Sequence, residues 1–240
     1  MASVPTIVLL PGLHGTEDLF GPLLAAIPPK IRPRMITYPP DEALSYDALL
    51  NLLSEQLQSE QAMVLIAESF GGPLAIRFAA ANPRRVRALV LVATFVKPPV
   101  PRWLRYLVHP VVFRVPPPSL VLRFLLLART LSQPLPAELG RAIRKVRPHV
   151  IAHRIREVLK VDCTAELRTC SVPILYLAAD RDRLVRPKCV KTLLRNRADV
   201  QVRTIEGSHM LLQVNPKAAW REIERFLAET FECAQNEEGV

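Results

Sequence analysis

Residues 63–72 read MVLIAESFGG, and this stretch decides the fold. An apolar run typical of a buried strand ends at Ala67, and a turn around Ser69 leads into a helical pattern. Such a strand, turn and helix lift a serine hydroxyl above the end of a sheet as a nucleophile. Ala67 and Gly71 leave room for the strained turn, since larger side chains would collide with the neighbouring strand or helix. Short Ser and Gly strings are also common where helices begin, so Ser69 needs a base, an acid and oxyanion donors elsewhere.

Short apolar runs alternate with helical patterns along most of the chain. This alternation predicts an α/β fold with a mostly parallel six-stranded sheet flanked by helices. Apolar residues repeat at helical spacing over residues 46–57 and 220–231, as expected for helix faces that pack on a core. The predicted strands are residues 6–10, 34–37, 63–67, 86–93, 172–178 and 200–205.

The alternation is interrupted once, between about Thr94 and Thr169, where helical patterns rich in proline replace the strand-like runs. An excursion of this length within a regular fold is typical of a lid over the carboxyl ends of the strands. We therefore predict one domain with a helical cap at residues 95–169. The cap is inserted into a core made of residues 1–94 and 170–240.

Two loops after later strands offer the base and the acid that a serine nucleophile needs. Asp180 and Asp182 follow the fifth predicted strand, and His209 lies in a glycine-containing loop after the last one. Taken singly, His209 is a common type of loop histidine, and Asp182 is a common turn or helix-cap residue. Because parallel strands end at one edge of the sheet, we predict Ser69, Asp182 and His209 as the catalytic residues. Asp180 is the alternative acid.

The loop after the first strand, LPGLHGT at residues 10–16, is placed to face the serine. Acyl transfer requires hydrogen-bond donors for the tetrahedral oxyanion, and backbone N–H groups supply them in many enzymes. We predict that the N–H groups of Leu13 and Phe70 form the oxyanion hole. His14, between two glycines, is interpreted as a substrate-binding or loop-shaping residue in preference to a catalytic one.

Two further acidic residues receive structural interpretations. Glu68 precedes the predicted nucleophile and is expected to be solvated or paired with an arginine, not to act as a second acid. Asp162 lies where the cap returns to the sheet and is expected to be structural.

These motifs resemble those of serine esterases of the α/β-hydrolase superfamily over residues 6–231. The resemblance rests on the order Ser, acid, His, on Gly-x-His at residues 207–209 and on the Pro-Gly of residues 11–12. The family's Gly-x-x-Asp motif maps onto residues 179–182 with alanine replacing glycine, and Ala67 replaces the first glycine of the serine turn. The resemblance implies a carboxylesterase that needs no metal or organic cofactor, and the apolar cap, as a candidate acyl pocket, indicates short to medium acyl esters as substrates. Its competitors are a non-catalytic binding protein and a cofactor-free lyase or haloperoxidase on the same fold.

Positive charge is concentrated in the predicted cap. Residues 94–160 contain 13 Lys or Arg and 2 Asp or Glu, whereas the whole chain carries a net charge of +10. Two basic groups in this stretch are Arg141, Arg144 and Lys145, at helical spacing, and then Arg154, Arg156 and Lys160. Such a field attracts acidic partners. Nucleic acid is not expected as a partner, because no recognition motif accompanies the charge.

Three interpretations of this charge remain open. In the first, the arginines only keep a proline-rich lid soluble. In the second, they dock an acidic acyl carrier protein, as the resemblance to pimeloyl-carrier-protein methyl esterases implies, and the activity is that of a methyl ester esterase or thioesterase on a carrier-linked substrate. The third interpretation is peripheral contact with an anionic membrane, in which Trp103, Tyr106 and the apolar face at residues 120–127 lie among the headgroups.

Cysteine usage and hydropathy indicate the cellular compartment in which the protein is expected to reside. The four cysteines form no CxxC pair and have no histidine at metal-ligand spacing, so we expect reduced thiols in a cytoplasmic protein. The first residues lack the basic stretch of a signal peptide. No run approaches the roughly 20 apolar residues that span a bilayer, so no transmembrane segment is expected.

Overall fold

A computed structural model describes residues 5–114 and 135–237 of the chain. The strands are β1 (Thr6–Leu10), β2 (Arg34–Met35), β3 (Met63–Glu68), β4 (Val86–Val92), β5 (Ile174–Ala179) and β6 (Gln201–Ile205). They form one parallel sheet in the order β2-β1-β3-β4-β5-β6. The predicted α/β fold and all six predicted strands are confirmed. β5 begins two residues later than expected, because Pro173 has no N–H to donate to a ladder.

Helices connect the strands and cover both faces of the sheet. They are α1 (Gly21–Ala26), α2 (Tyr46–Gln56), α3 (Gly71–Ala81), α4 (Leu135–Lys145), α5 (Pro148–Val158), α6 (Thr164–Thr169), α7 (Pro187–Asn196), α8 (Leu211–Val214) and α9 (Pro216–Glu237). α2 begins where the Ala48 N–H donates to the Ser45 hydroxyl. α5 and α7 begin with proline, which suits the first helical turn because an N–H there has no intrahelical partner. Within the described ranges, no helix is both long and apolar enough to cross a membrane.

The sheet is buried between two apolar layers. Every residue of β3 is buried, as expected for a central parallel strand with helices on both sides. On one face, Leu65 shares a buried cluster with Leu49 of α2 and Phe78 of α3. On the other face, Ile66 shares a cluster with Ile223 of α9. This rigid sheet fixes the relative positions of the loops at its carboxyl edge.

The chain between β4 and β5 carries the predicted cap. Its described parts contain two 3₁₀ turns (Arg102–Leu107 and Pro110–Phe113) and then α4, α5 and α6, with no strand among them. The apolar face predicted at residues 120–127 lies outside the described residues. The division into a core of residues 1–94 and 170–240 and a cap of residues 95–169 stays a prediction.

Two of these helices lie against the loops that end the strands. α4 contributes Leu135 and Leu139 to a buried cluster with Leu19 and Met210, which follow β1 and β6. α5 contributes to a second small cluster, against which Leu13 of the β1 loop packs. The inserted helices therefore contact the segments that hold the predicted oxyanion loop and the predicted base.

Candidate active site

Ser69 occupies a strained turn between β3 and α3. Its φ angle is 49°, in the left-handed region that residues other than glycine rarely adopt. The Ser69 N–H donates to the Val92 carbonyl at 2.9 Å, and the Ser69 carbonyl accepts the Gly72 N–H at 3.0 Å. Strain of this kind costs on the order of 1–3 kcal/mol and persists only where the surroundings enforce it. The turn holds the hydroxyl above the end of the sheet, as the sequence predicts.

Close backbone approach explains the two glycines after Ser69. A Cβ at Gly71 would lie 2.8 Å from the Pro11 carbonyl oxygen, and one at Gly72 would overlap the Thr94 side chain. The Thr94 hydroxyl in turn donates to the Ser69 carbonyl at 2.5 Å. The expected crowding at position 71 is confirmed. Thr94 supports the turn from the next strand, a role that the sequence analysis missed.

The structure brings together the three residues predicted to be catalytic. The distance from His209 Nε2 to Ser69 Oγ is 2.9 Å, and that from His209 Nδ1 to Asp182 Oδ2 is also 2.9 Å. The His209 and Asp182 side chains are only 6% and 3% exposed, so water competes little for these bonds. A carboxylate at Nδ1 favours the tautomer with the proton on Nδ1, which leaves Nε2 to accept the Ser69 proton.

The two aspartates of the β5 loop have different partners. The second oxygen of Asp182 accepts the N–H groups of Leu184 and Val185 at 2.8 Å each, so this carboxylate also fixes its own turn. Asp180 accepts the Gly207 N–H at 2.7 Å and ties the β5 loop to the loop that carries His209. The geometry therefore selects Asp182 over Asp180 as the partner of the histidine.

The predicted oxyanion loop lies beside the serine. A Cβ at Gly12 would stand 3.7 Å from the Ser69 Cβ. Among the described residues, none accepts a hydrogen bond from the N–H of Leu13 or of Phe70. On the other side of the turn, the Tyr46 hydroxyl donates to the Phe70 carbonyl at 3.0 Å, and the two rings stack. Within the described residues both N–H groups are therefore available to an oxyanion, and the oxyanion hole stays a prediction.

His14 is buried within this loop. Its side chain is 6% exposed, and Nε2 has no hydrogen-bond partner within the described part of the chain. Burial lowers the pKa of the imidazole to about 4, so the ring is neutral near pH 7. A neutral imidazole has one donor and one acceptor nitrogen, so Nε2 can form a hydrogen bond to a bound group. Its assignment to substrate binding stays a prediction.

Glu68 differs from the expectation. Its side chain is buried and accepts a hydrogen bond from the Gln213 side chain at 3.2 Å, with neither solvent nor an arginine as its partner. The other carboxylate oxygen, Oε1, has no partner among the described residues, and burial raises the pKa of this carboxyl to about 7. The prediction was wrong because β3 extends one residue further than expected and α8 packs over its end.

Arg154 also differs from the expectation. The sequence places it in a basic surface group, but it is only 2% exposed. Its side chain lies on the same face of α5 as Val150 and Ile151, a spacing of three and four residues that would have indicated burial. Asp162, by contrast, is structural as predicted, because it accepts the Thr164 N–H and hydroxyl at the start of α6. In the described residues, no cluster of three or more His, Cys, Asp or Glu is arranged to hold a metal ion.

The site consists of a serine on a strand-to-helix turn that faces a histidine and an aspartate from the loops of other parallel strands. This arrangement defines the α/β-hydrolase class. A family model described as serine aminopeptidase, S33 (Hydrolase_4), matches residues 45–213, well over half of the chain. The protein belongs to this family and is a hydrolase of the α/β-hydrolase fold, as the sequence motifs suggest. No curated protein sequence matches the chain significantly.

Solved structures of esterases share the fold. The enol-lactonase from Burkholderia xenovorans LB400 is 16% identical with a TM-score of 0.82, over 95% of this chain and 92% of that one. A thermophilic esterase from Thermogutta terrifontis is 20% identical with a TM-score of 0.79, over 95% and 91%. A carboxylesterase structure from the ammonia-oxidizing Thaumarchaeon Nitrososphaera gargenis is 14% identical with a TM-score of 0.78, over 97% and 93%. At these identities the likeness establishes the fold alone.

Proposed function

We propose that the protein is a serine carboxylic ester hydrolase that acts on short to medium acyl esters through an acyl-enzyme. The observation that carries the proposal is the hydrogen-bonded chain from Asp182 through His209 to Ser69. Nucleophilic catalysis requires a base within hydrogen-bond reach of the serine, roughly 2.6–3.2 Å, and a carboxylate that orients this base. Both hydrogen bonds here measure 2.9 Å.

The geometry supports a two-step reaction. His209 Nε2 takes the Ser69 proton as Ser69 Oγ forms a bond to the ester carbonyl carbon, and the oxyanion accepts the N–H groups of Leu13 and Phe70. His209 then gives the proton to the departing alcohol as the ester C–O bond breaks. In the second step, His209 takes a proton from water as the water oxygen bonds to the acyl carbon. The bond between that carbon and Ser69 Oγ then breaks, the acid leaves, and Ser69 Oγ takes the proton back from His209.

Ester substrates are favoured over peptides with a free amino terminus, although the family description names an aminopeptidase. An aminopeptidase must pair the positive α-amino group of its substrate with an acceptor, usually a carboxylate. Three carboxylates of these loops are poorly placed for that role. Asp182 is bound to His209 and to its own turn, Asp180 binds the Gly207 N–H and Arg181, and Glu68 is buried beside Gln213.

A panel of p-nitrophenyl esters, from acetyl to decanoyl, tests this proposal beside aminoacyl p-nitroanilides. Ester turnover should vanish in Ser69→Ala and fall about 10⁴-fold in kcat in Asp182→Asn, because the tautomer of His209 is lost. Asp180→Asn is the matched control and should retain most of its activity. Absence of Ser69-dependent turnover on every ester would refute the proposal, and turnover of anilides alone would assign a peptidase.

A second candidate, hydrolysis of a carrier-linked acyl ester, is favoured by the position of α4. Arg141, Arg144 and Lys145 are exposed on this helix, and its buried face contacts Met210, next to His209 in the chain. An acidic acyl carrier protein docked there would deliver its acyl chain close to Ser69.

Charge reversal separates the two candidates. Glutamate at positions 141, 144 and 145 together should raise KM for an ester carried on acyl carrier protein and leave p-nitrophenyl butyrate turnover unchanged. The matched control reverses three exposed basic residues on another helix, α7: Lys188, Lys191 and Arg195. Equal effects of the two triple variants, or equal losses on both substrates, would contradict docking on α4.

A further inference from the structure

We propose that Arg154, on inserted helix α5, is a positioning residue for the oxyanion loop: its buried guanidinium holds the backbone that presents the Leu13 N–H to the reacting carbonyl. The inference rests on the proposed function, because an oxyanion forms only if Ser69 attacks an acyl group. It assigns part of the transition-state stabilisation to a residue outside the triad and outside the sheet.

The guanidinium binds three backbone carbonyls. Nη1 donates to the Leu13 carbonyl at 2.9 Å and to the His14 carbonyl at 3.0 Å, and Nη2 donates to the Pro39 carbonyl at 2.8 Å. The planar guanidinium presents its donors in a fixed geometry. Because Nη1 binds the carbonyls of two consecutive residues, Leu13 and His14, it fixes the orientation of the loop backbone as well as its distance from α5. A lysine at this position would offer a point charge without that geometry.

The surrounding residues are shaped around this side chain. Gly15 adopts a φ of +72°, and a Cβ there would lie 2.5 Å from Arg154 Nη1, so only glycine fits beside the guanidinium. The Gly15 N–H donates to Gly12, and the Gly15 carbonyl accepts the Tyr38 N–H at 2.8 Å. The Tyr38 ring lies 5.6 Å from Arg154 Cζ, within cation–π range. The loop and its neighbour therefore enclose the guanidinium.

The charge of Arg154 is also unusual. No carboxylate in the described ranges pairs with it, so three carbonyl dipoles and the Tyr38 ring stabilise the buried cation. Burial lowers the pKa of this guanidinium to about 10, which leaves it charged at neutral pH. A buried cation behind the oxyanion loop attracts the negative charge that develops in the transition state more strongly than the neutral ester.

A purely structural role, in which Arg154 only fastens α5 to the core, makes a different prediction. Loss of a purely structural contact lowers the free energy of unfolding but leaves the folded molecules with their normal kcat. Loss of a positioning residue lowers kcat and the affinity for an oxyanion mimic, while KM for the neutral ester changes little. The two roles are separated by kinetics measured on the folded fraction.

The experiment compares Arg154→Met and Arg154→Lys with the control Arg156→Met. Arg156 lies on the same helix and bonds the Val108 carbonyl, away from the loop. For each variant we would measure unfolding by denaturant, ester kcat and KM, inhibition by a trifluoromethyl ketone, and the rate at which a fluorophosphonate labels Ser69. Arg154→Met should lose roughly 10- to 100-fold in kcat, in ketone affinity and in labelling rate, with KM changed by less than about threefold. Arg154→Lys should recover part of each loss, and Arg156→Met should match the wild type.

Three outcomes are informative. Wild-type kcat and ketone affinity in folded Arg154→Met would overturn the inference and leave a structural role. If Arg154→Met does not fold, Gly15→Ala displaces the guanidinium while keeping its charge, and an unchanged kcat in that variant would overturn the inference equally. A wild type that neither turns over esters nor is labelled at Ser69 would instead refute the proposed function.

Discussion

The buried carboxyl of Glu68 should make the stability of the protein fall as the pH rises. Burial raises its pKa from the ordinary 4.5 to about 7, while the positive form of His209 and the bond from Gln213 act in the opposite direction. In the unfolded chain this carboxyl returns to its ordinary pKa. Between these two values the native state therefore binds more protons than the unfolded state, and the free energy of unfolding decreases with pH.

The size of the effect follows from the two pKa values. Each unit of difference corresponds to about 1.4 kcal/mol, so ionising Glu68 in the folded protein costs up to about 3 kcal/mol. The contribution is complete below about pH 4.5, is lost progressively as the pH approaches 7, and is constant above that. Glu68→Gln removes the ionisation. Its amide oxygen can accept the bond from Gln213, and its NH₂ group can meet the Gln213 oxygen, which lacks a partner among the described residues.

Urea unfolding from about pH 4 to about pH 8 measures this difference between Glu68→Gln and the wild type. The variant should gain up to about 3 kcal/mol relative to the wild type across that range, since other titrating groups cancel in the comparison. Glu55→Gln, which removes an exposed carboxyl of α2, controls for the loss of one negative charge. A difference between Glu68→Gln and the wild type that does not change with pH would refute a buried, protonated Glu68.

Two further perturbations test other parts of the structure. Gly72→Ala should destabilise the protein by roughly 1–3 kcal/mol in thermal or urea unfolding, because its Cβ overlaps Thr94; Gly21→Ala, with nothing within 4 Å, is the control, and equal effects would contradict the crowding. Trp103 and Tyr106 are 59% and 76% exposed beside basic residues, so the wild type should sediment with phosphatidylglycerol vesicles more than with phosphatidylcholine vesicles. Serine at both positions should reduce that binding, and no preference for anionic vesicles would exclude the membrane interpretation.

The sequence predicted the parts of the site that depend on local pattern. Apolar runs located the strands, because a parallel strand covered on both faces is a nearly continuous run of hydrophobic residues. The carboxyl edge of the sheet then follows from topology, and it brings Ser69, Asp182 and His209 together although they are far apart in the chain. The choice of Asp182 over Asp180 followed from the resemblance to the family's Gly-x-x-Asp motif, and in the structure Asp182 is the aspartate bonded to His209.

The environments of Glu68 and Arg154 were not predicted, since both depend on packing by distant segments. Glu68 is buried because Gln213 of α8 covers the end of β3. Arg154 is buried because an inserted helix lies against the β1 loop and Pro39. A charged side chain on a strand end or on an amphipathic helix is usually solvated, so composition and charge counts assigned both to the surface. The helical spacing of Arg154 with Val150 and Ile151 was the one local signal of burial.

These two buried groups interact with different parts of the candidate catalytic machinery. Arg154 contacts the carbonyl of Leu13, on the oxyanion side, and Glu68 interacts electrostatically with His209, on the side of the base. In the transition state, negative charge develops on the carbonyl oxygen and positive charge on the imidazole. The Arg154 cation favours the negative charge on the carbonyl oxygen, and an ionised Glu68 favours the positive charge on the imidazole. Both charges are fixed in a buried site and need no reorganisation as the reaction proceeds. The ionised Glu68 carboxylate lowers the stability of the fold because it is buried, and the same carboxylate attracts the positive charge that the proposed reaction places on His209.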